Sequence, residues 1–185
     1  ENPLSEKWFN LHSSDVLRLR ILMEFGGIFI NNDVVLIESL DKFRRFEMTV
    51  GRDDNKYIGN QVLIANRKSR FLHLWYHSYK SYNSSLLFYN SKKVPTKHIL
   101  NKYSHLTHCV GDKFGFDGNE IRSYLHEQNE TDWKTKYYAV QVNVQEPDPL
   151  ELDVDAEQEF FDQVVNNYET TFGQIARSIL SNKLD

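Results

Sequence analysis

The stretch from residue 25 to residue 33 constrains the fold of this chain more than any other part of the sequence. Two consecutive glycines, Gly26 and Gly27, follow a helical pattern of apolar residues and precede a short apolar run at 28–30. Glycine adopts the positive φ that ends a helix and reverses the chain, and the apolar run is typical of a short buried strand. The strand ends at Asp33. A helix followed by a buried strand with a polar end predicts an α/β fold.

Further elements follow from the same reasoning. They are, in chain order, a helix capped by Ser13 or Ser14 and ending at Phe25, strands at 34–37, 48–51 and 62–65, a helix from Ser69, a helix at 96–103, a late strand at 137–144, a helix at 155–168, and a helix capped by Thr170 or Thr171. The sequence contains no repeat and no convincing linker, so we expect a single domain spanning 1–185.

Charge and hydropathy exclude some classes of protein. The formal net charge is −4, and the lysines and arginines are scattered, which argues against nucleic acid as a partner. No apolar stretch approaches the roughly 20 residues that cross a bilayer. Because the chain begins with Glu1 rather than Met, we expect a carboxyl-terminal fragment, with room for a membrane anchor in the missing amino-terminal part.

Asp33 is the leading candidate for a functional carboxylate. Ligands of open α/β sheets bind beyond the carboxyl ends of the strands, so a side chain directly after a buried strand is expected to face an open crevice. A hard divalent cation prefers such carboxylate oxygens and shares its coordination with substrate phosphates. The alternative is an Asx turn that merely ends the strand.

Two blocks of this sequence resemble a known family. They are Ser14-Asp15-Val16-Leu17-Arg18 and Phe25-Gly26-Gly27-Ile28-Phe29-Ile30-Asn31-Asn32-Asp33. Their order and separation resemble the DXD-containing sugar-binding region of glycosyltransferase family 32, which includes α-1,4-galactosyltransferases, α-1,4-N-acetylglucosaminyltransferases and fungal mannosyltransferases. The similarity is strong over about residues 12–40 and more diffuse to about residue 75.

The resemblance implies a GT-A-like nucleotide-diphospho-sugar transferase fold whose first strands precede residue 1. It implies a UDP- or GDP-sugar donor, a glycan or glycolipid acceptor, retention of anomeric configuration, and Mn²⁺ or Mg²⁺ held by Asp33. Asp15 would hydrogen-bond the donor or brace the loop, and Arg18 would pair with a carboxylate or contact the substrate. Gly26 and Gly27 would shape the donor site. No catalytic nucleophile can be singled out.

Two residues depart from the family pattern. Asn31 replaces the first motif Asp, and Gln141 stands where related proteins often carry a metal-binding His. Both changes keep hydrogen-bonding capacity but lower the expected metal affinity. A non-catalytic GT-A paralogue that serves as a binding or scaffold protein is therefore the alternative function.

Other candidates are weaker. Asn60 and Gln61 lie where the family places donor-sugar or acceptor contacts, although we expect loop residues there. The pair His73 and His77 and the group His105, His108 and Cys109 lack the partners of a metal site. A metal-dependent hydrolase would need Asp33 to meet the acidic residues Glu146, Asp148, Glu151, Asp153, Asp155, Glu157 and Glu159.

The resemblance also implies a compartment. Membrane-anchored transferases of this kind lie in the Golgi lumen, and sequons at Asn83 and Asn129 would make the chain a glycoprotein there.

Overall fold

The computed structural model describes residues 9–53, 56–115, 133–142 and 166–181. The helices are α1 (Phe9–Phe25), α2 (Arg70–Ser78), α3 (Trp133–Lys136) and α4 (Thr171–Ser181). The strands are β1 (Gly27–Ile30), β2 (Val34–Leu36), β3 (Met48–Asp53), β4 (Tyr57–Ala65), β5 (His108–Cys109) and β6 (Ala139–Gln141). The chain therefore mixes helices and sheets, as the α/β prediction required.

Four strands form the larger sheet in the order β1-β4-β3-β5. β4 pairs antiparallel with both β1 and β3, and β5 runs parallel to β3. Because these pairs are antiparallel, the end of β1, the start of β4 and the end of β3 lie toward the same end of this sheet. A smaller sheet joins β2 to β6 in antiparallel register.

The predicted strand at 62–65 is longer in the structure, because β4 already begins at Tyr57. Leu63 packs into a core with α1 and α2, whereas Val62 and Ile64 pack on the other face against Phe43 and Phe114. Apolar packing on both faces explains the continuous apolar run in the sequence.

The predicted start of α1 is wrong. The helix already includes Phe9, so Ser13 and Ser14 lie inside it rather than at a cap. Sequence reasoning chose them because serine is a common cap, but here the Ser14 hydroxyl accepts a bond from Arg18. The apolar face is also narrower than expected: Leu19 and Leu22 are buried, while Leu17, Ile21 and Phe25 remain exposed in the described structure.

The predicted cap of α4 is confirmed, and α2 has a cap of the same kind at Ser69, where its start was predicted. The Ser69 hydroxyl accepts a hydrogen bond from the backbone N–H of Leu72 at the start of α2, at 3.3 Å. At the start of α4, the Thr170 hydroxyl accepts one from Gly173 at 3.4 Å. Both follow from the preference of hydroxyl side chains for the free N–H groups of a first turn.

The region after α2 differs from the prediction. Instead of a regular α-helix at 96–103, the chain forms two π-helical turns, Tyr89–Lys93 and Pro95–Leu100. Pro95 lacks a backbone N–H, which weakens regular α-helical bonding at that point.

The late strand at 137–144 is confirmed in part as β6, and its continuation beyond residue 142 lies outside the described residues. The acidic run and most of the predicted helix at 155–168 also lie outside them. No described helix has the length and apolar character that crossing a bilayer requires.

Candidate functional site

Asp33 lies between the two sheets. The backbone N–H of Asn31 bonds to the carbonyl of Gln61 at 2.8 Å, which holds the end of β1 against β4. A turn closed by Val34 N–H and the Asn31 carbonyl at 3.1 Å then leads into β2. The Asp33 carbonyl accepts a bond from Val142 N–H at 2.7 Å, so the backbone around Asp33 is tied to both sheets.

Three polar side chains converge at this strand end. One carboxylate oxygen of Asp33, Oδ1, accepts a hydrogen bond from Asn31 Nδ2 at 2.7 Å. The other, Oδ2, accepts one from Gln141 Nε2 at 2.8 Å, across 108 residues of sequence. The two positions that depart from the family pattern are therefore the two that contact the Asp33 carboxylate. The Asx-turn alternative does not account for the contact with Gln141.

The amide of Gln141 leaves one polar atom without a partner. Gln141 is 9% exposed, and its Oε1 is buried without a hydrogen bond. A half-turn of the amide would exchange this oxygen with the nitrogen that now faces Asp33. Asn31 can rotate in the same way, so each of the three side chains can present oxygen to a bound group.

This donor set fits a hard divalent cation, which accepts carboxylate and amide oxygens. It supplies one formal negative charge, from Asp33, where a cluster with two carboxylates would supply two. No group of three His, Cys, Asp or Glu side chains within the described ranges could hold a metal ion. Asp33, Asn31 and Gln141 are therefore the residues that would hold a cation, with reduced charge.

Asp15 and Arg18 form a buried pair on α1. Their side chains are 3.3 Å apart, and both residues are at most 5% exposed. Arg18 Nη1 also donates to the carbonyl of Asn60 at 2.6 Å, and its guanidinium lies 4.7 Å from the centre of the Phe29 ring. Asn60 Nδ2 donates to Asp15 Oδ1 at 2.7 Å. This network fastens α1 to β1 and β4 directly behind the strand end.

Burial dominates the electrostatics of this pair. It raises the pKa of Asp15 and lowers the pKa of Arg18, because each charged form loses water.

Asn60 and Gln61 are not loop residues, which corrects the prediction. Both lie inside β4 and are buried. Gln61 Oε1 accepts a bond from the backbone N–H of Asn60 at 2.9 Å. Asn60 joins the Asp15 and Arg18 network, while Gln61 supports the strand through its own backbone.

Gly26 and Gly27 are not brought to the same place. They adopt φ of 66° and 106°, as predicted, but they lie at the start of β1, whereas Asp33 follows its end. A strand rises about 3.3 Å per residue, which puts Gly27 roughly 13 Å from Asn31. Added at Gly26, a Cβ would lie 3.0 Å from the backbone nitrogen of Arg67. Their position supports a role in the fold, and their contact with a donor stays a prediction.

Sequence reasoning missed three members of the buried network. His12 is 1% exposed; its Nδ1 accepts a bond from the hydroxyl of Tyr82, and its Nε2 donates to the carbonyl of Leu87 at 3.2 Å. Burial raises the pKa of the Tyr79 phenol, whose oxygen has no hydrogen-bond partner. The three-residue spacing of His12 and Asp15 on one helix face was an available signal. No local sequence pattern predicted that Tyr79 and Tyr82 would lie beside this network.

The histidine candidates do not form metal sites in the described structure. His73 and His77 are exposed on α2, and His108 stacks on Phe46 with ring centres 3.9 Å apart.

Comparison with known proteins found a family match for the amino-terminal part of the chain. Residues 1–50 match the family described as the glycosyltransferase sugar-binding region containing DXD motif. That match includes Asp15, Arg18, Asn31 and Asp33, so the resemblance seen in the sequence is confirmed over this part of the chain.

Two curated proteins are similar to the chain. Glucan organizing enzyme 1 of Cryptococcus neoformans var. grubii serotype A is 23% identical over 137 residues, which cover 66% of this chain and 37% of the fungal protein. The Arabidopsis thaliana protein named Uncharacterized protein At4g19900 is 30% identical over 69 residues, which cover 36% of this chain and 10% of the plant protein. This chain thus spans well under two thirds of either relative. No solved structure matches it.

Proposed function

We propose that this chain is the sugar-donor part of a glycosyltransferase that moves a hexosyl or N-acetylhexosaminyl group from a UDP- or GDP-sugar to a glycan or glycolipid. The observation that carries the proposal is the convergence of Asn31, Asp33 and Gln141 at a strand end inside a DXD-type region. We further propose a single GT-A-like domain, in a longer protein of the Golgi lumen, that retains anomeric configuration.

The residues have separate tasks in this proposal. Asp33 binds a divalent cation, Mn²⁺ or Mg²⁺, and Asn31 and Gln141 turn their amide oxygens toward it. When bound, the cation neutralises charge on the departing nucleoside diphosphate. Arg18 and Asp15 hold α1 against β4, which keeps the strand end in place, and the positive charge of Arg18 favours an anionic ligand nearby.

Calorimetric titration of Mn²⁺, with and without UDP, tests the cation site. We expect binding that UDP strengthens, that Asp33→Ala abolishes, and that Asp41→Asn leaves unchanged, because the Asp41 side chain is 74% exposed in a surface ion pair with Arg44. Hydrolysis or transfer from UDP- and GDP-sugars is then measured with the same variants. If the unsubstituted chain, extended to full length, shows neither metal-dependent UDP binding nor turnover, the transferase proposal is refuted.

One observation favours the alternative, a non-catalytic binding or scaffold protein. Both Asp33 oxygens accept hydrogen bonds from amide nitrogens, which fill the positions that a cation needs. On this hypothesis the unsubstituted chain binds no Mn²⁺, and the double substitution of Asn31→Asp with Gln141→His creates binding. Turnover by the unsubstituted chain would exclude this alternative.

The hydrolase reading has no support in the described structure. It requires the acidic residues between 146 and 159 to approach Asp33, and these lie outside the described residues.

A further inference from the structure

A cavity of about 360 Å³ opens beside β3 and β5. It is lined by Arg52, Leu100, Asn101, Ser104, Thr107 and Cys109. Its volume falls in the range of small-ligand pockets, which starts near 300 Å³. The lining contains one cation, several hydrogen-bonding side chains and no carboxylate.

Arg52 is the unusual member of this lining. Its Nε is buried and has no hydrogen-bond partner, and Arg52 forms no ion pair with any described residue. Three other arginines form ion pairs: Arg18 pairs with Asp15, Arg44 with Asp41 and Arg70 with Glu47. A buried N–H without an acceptor is costly, more so on a cation, and such groups are rare in folded proteins. An acceptor supplied from outside the chain would satisfy it.

The chemistry of Arg52 specifies that acceptor. A guanidinium presents five donors in a planar fork that matches the oxygens of a carboxylate or a phosphate. The cavity is larger than one such group requires, which leaves room for an attached small molecule.

Along the strand direction, the cavity lies toward the same end of the sheet as Asp33. β3 ends near Arg52, which pairs with Ile58 of β4, and Ile30 at the end of β1 pairs with Val62. Two strand spacings across the sheet and four residues along β4 separate these points, on the order of 15 Å in all. The two places lie at the same end of the sheet but are not one subsite.

We propose that this cavity binds a negatively charged group, a carboxylate or a phosphate, on the saccharide acceptor. That the anionic ligand is an acceptor rests on the proposed transferase function. Anion binding at Arg52 is inferred from the cavity and its lining alone. The cation site at Asp33 would then hold the donor, and Arg52 would select acidic acceptors.

Cys109 provides a reporter inside this cavity, because it is the sole cysteine of the chain and its thiol is exposed. The rates of its alkylation by anionic iodoacetate and neutral iodoacetamide are compared. Arg52→Gln should lower the ratio of these rates about threefold, as expected for unit charges roughly 6 Å apart in water. Arg52→Lys should keep the ratio, and so should Arg20→Gln, which removes an exposed cation from α1.

Protection of Cys109 identifies the ligand. At matched ionic strength, inorganic phosphate, glucose 6-phosphate and glucuronate are expected to slow alkylation by iodoacetamide, and glucose is not. Protection by the phosphates alone would assign a phosphate ester, and protection by glucuronate alone would assign a uronic acid. Loss of protection in Arg52→Gln, with retention in Arg20→Gln, supports the site.

Three results would overturn the proposal. They are absence of protection by every anion, equal protection by glucose, and protection that persists in Arg52→Gln. Should Arg52→Gln fail to fold, the first two results are still measured on the unsubstituted chain, and either one overturns the proposal. Anion protection in a full-length protein that transfers no sugar would leave the anion site standing and remove only its assignment to an acceptor.

Discussion

Replacing Arg18 by methionine is expected to destabilise the fold by about 3–5 kcal/mol, the usual cost of removing one partner from a buried ion pair. The structure sets this magnitude. Arg18 is 5% exposed and donates to the Asn60 carbonyl, the Ser14 carbonyl and the Ser14 hydroxyl as well as facing Asp15. The substitution leaves Asp15 buried with one bond from Asn60.

Urea unfolding, followed by the fluorescence of the buried Trp75, measures this loss. With a slope of about 2 kcal/mol per molar urea, the midpoint should fall by about 1.5–2.5 M. The control Arg20→Met, on the exposed face of the same helix, should change stability by less than about 0.5 kcal/mol.

Adding Asp15→Asn to Arg18→Met tests whether the unpaired charge of Asp15 causes the loss of stability. The second substitution removes the unpaired buried charge, so the double variant should be more stable than Arg18→Met alone. A single-variant loss below about 1 kcal/mol, or a double variant that is the less stable of the two, would refute the reasoning.

Three further predictions follow from the site. Burial raises the pKa of Asp15 above its ordinary 3.8, so the folded state keeps this proton to a higher pH than the unfolded chain does. Stability should fall as pH rises from 3.8 through the raised pKa, and Asp15→Asn should remove that slope in urea midpoints measured across the range. Gly115→Ala should cost about 2–4 kcal/mol, because φ is 46° and the new Cβ would lie 2.7 Å from the Ala139 carbonyl; an unchanged thermal midpoint would contradict this. Asn31→Asp should raise Mn²⁺ affinity about tenfold through its added charge, and electron paramagnetic resonance of free Mn²⁺ would show no gain if the strand end is not a cation site.

Much of the local structure could be predicted from the sequence. The positive φ of Gly26 and Gly27, the buried strand that follows, and the caps at Ser69 and Thr170 all depend on neighbouring residues. Backbone sterics and first-turn N–H groups act over a few residues, so a single sequence contains the information. The same reasoning failed at Ser13 and Ser14, where a capping residue type occurs inside a helix that packing extends.

The candidate site also combines residues that local motifs predicted with residues that only the fold brings together. The motif blocks predicted that Asp15, Arg18, Asn31 and Asp33 belong to one site, and all four fall within the residues that match the family. Their partners came from elsewhere: Asn60 lies 45 residues from Asp15, and Gln141 lies 108 residues from Asp33. The periodicity of a sequence does not predict which distant side chain will accept or donate a given hydrogen bond.

The sequence alone therefore determined that a strand of this chain ends in a carboxylate of the DXD type, because helix ends, glycine turns and buried strands are local. Only the tertiary structure decided that the Asn31 and Gln141 amides meet that carboxylate, and that Arg52 Nε has no hydrogen-bond partner among the described residues. The physical reason is that hydrogen bonds and charges are satisfied by whichever groups the packing of sheets and helices brings within about 3 Å.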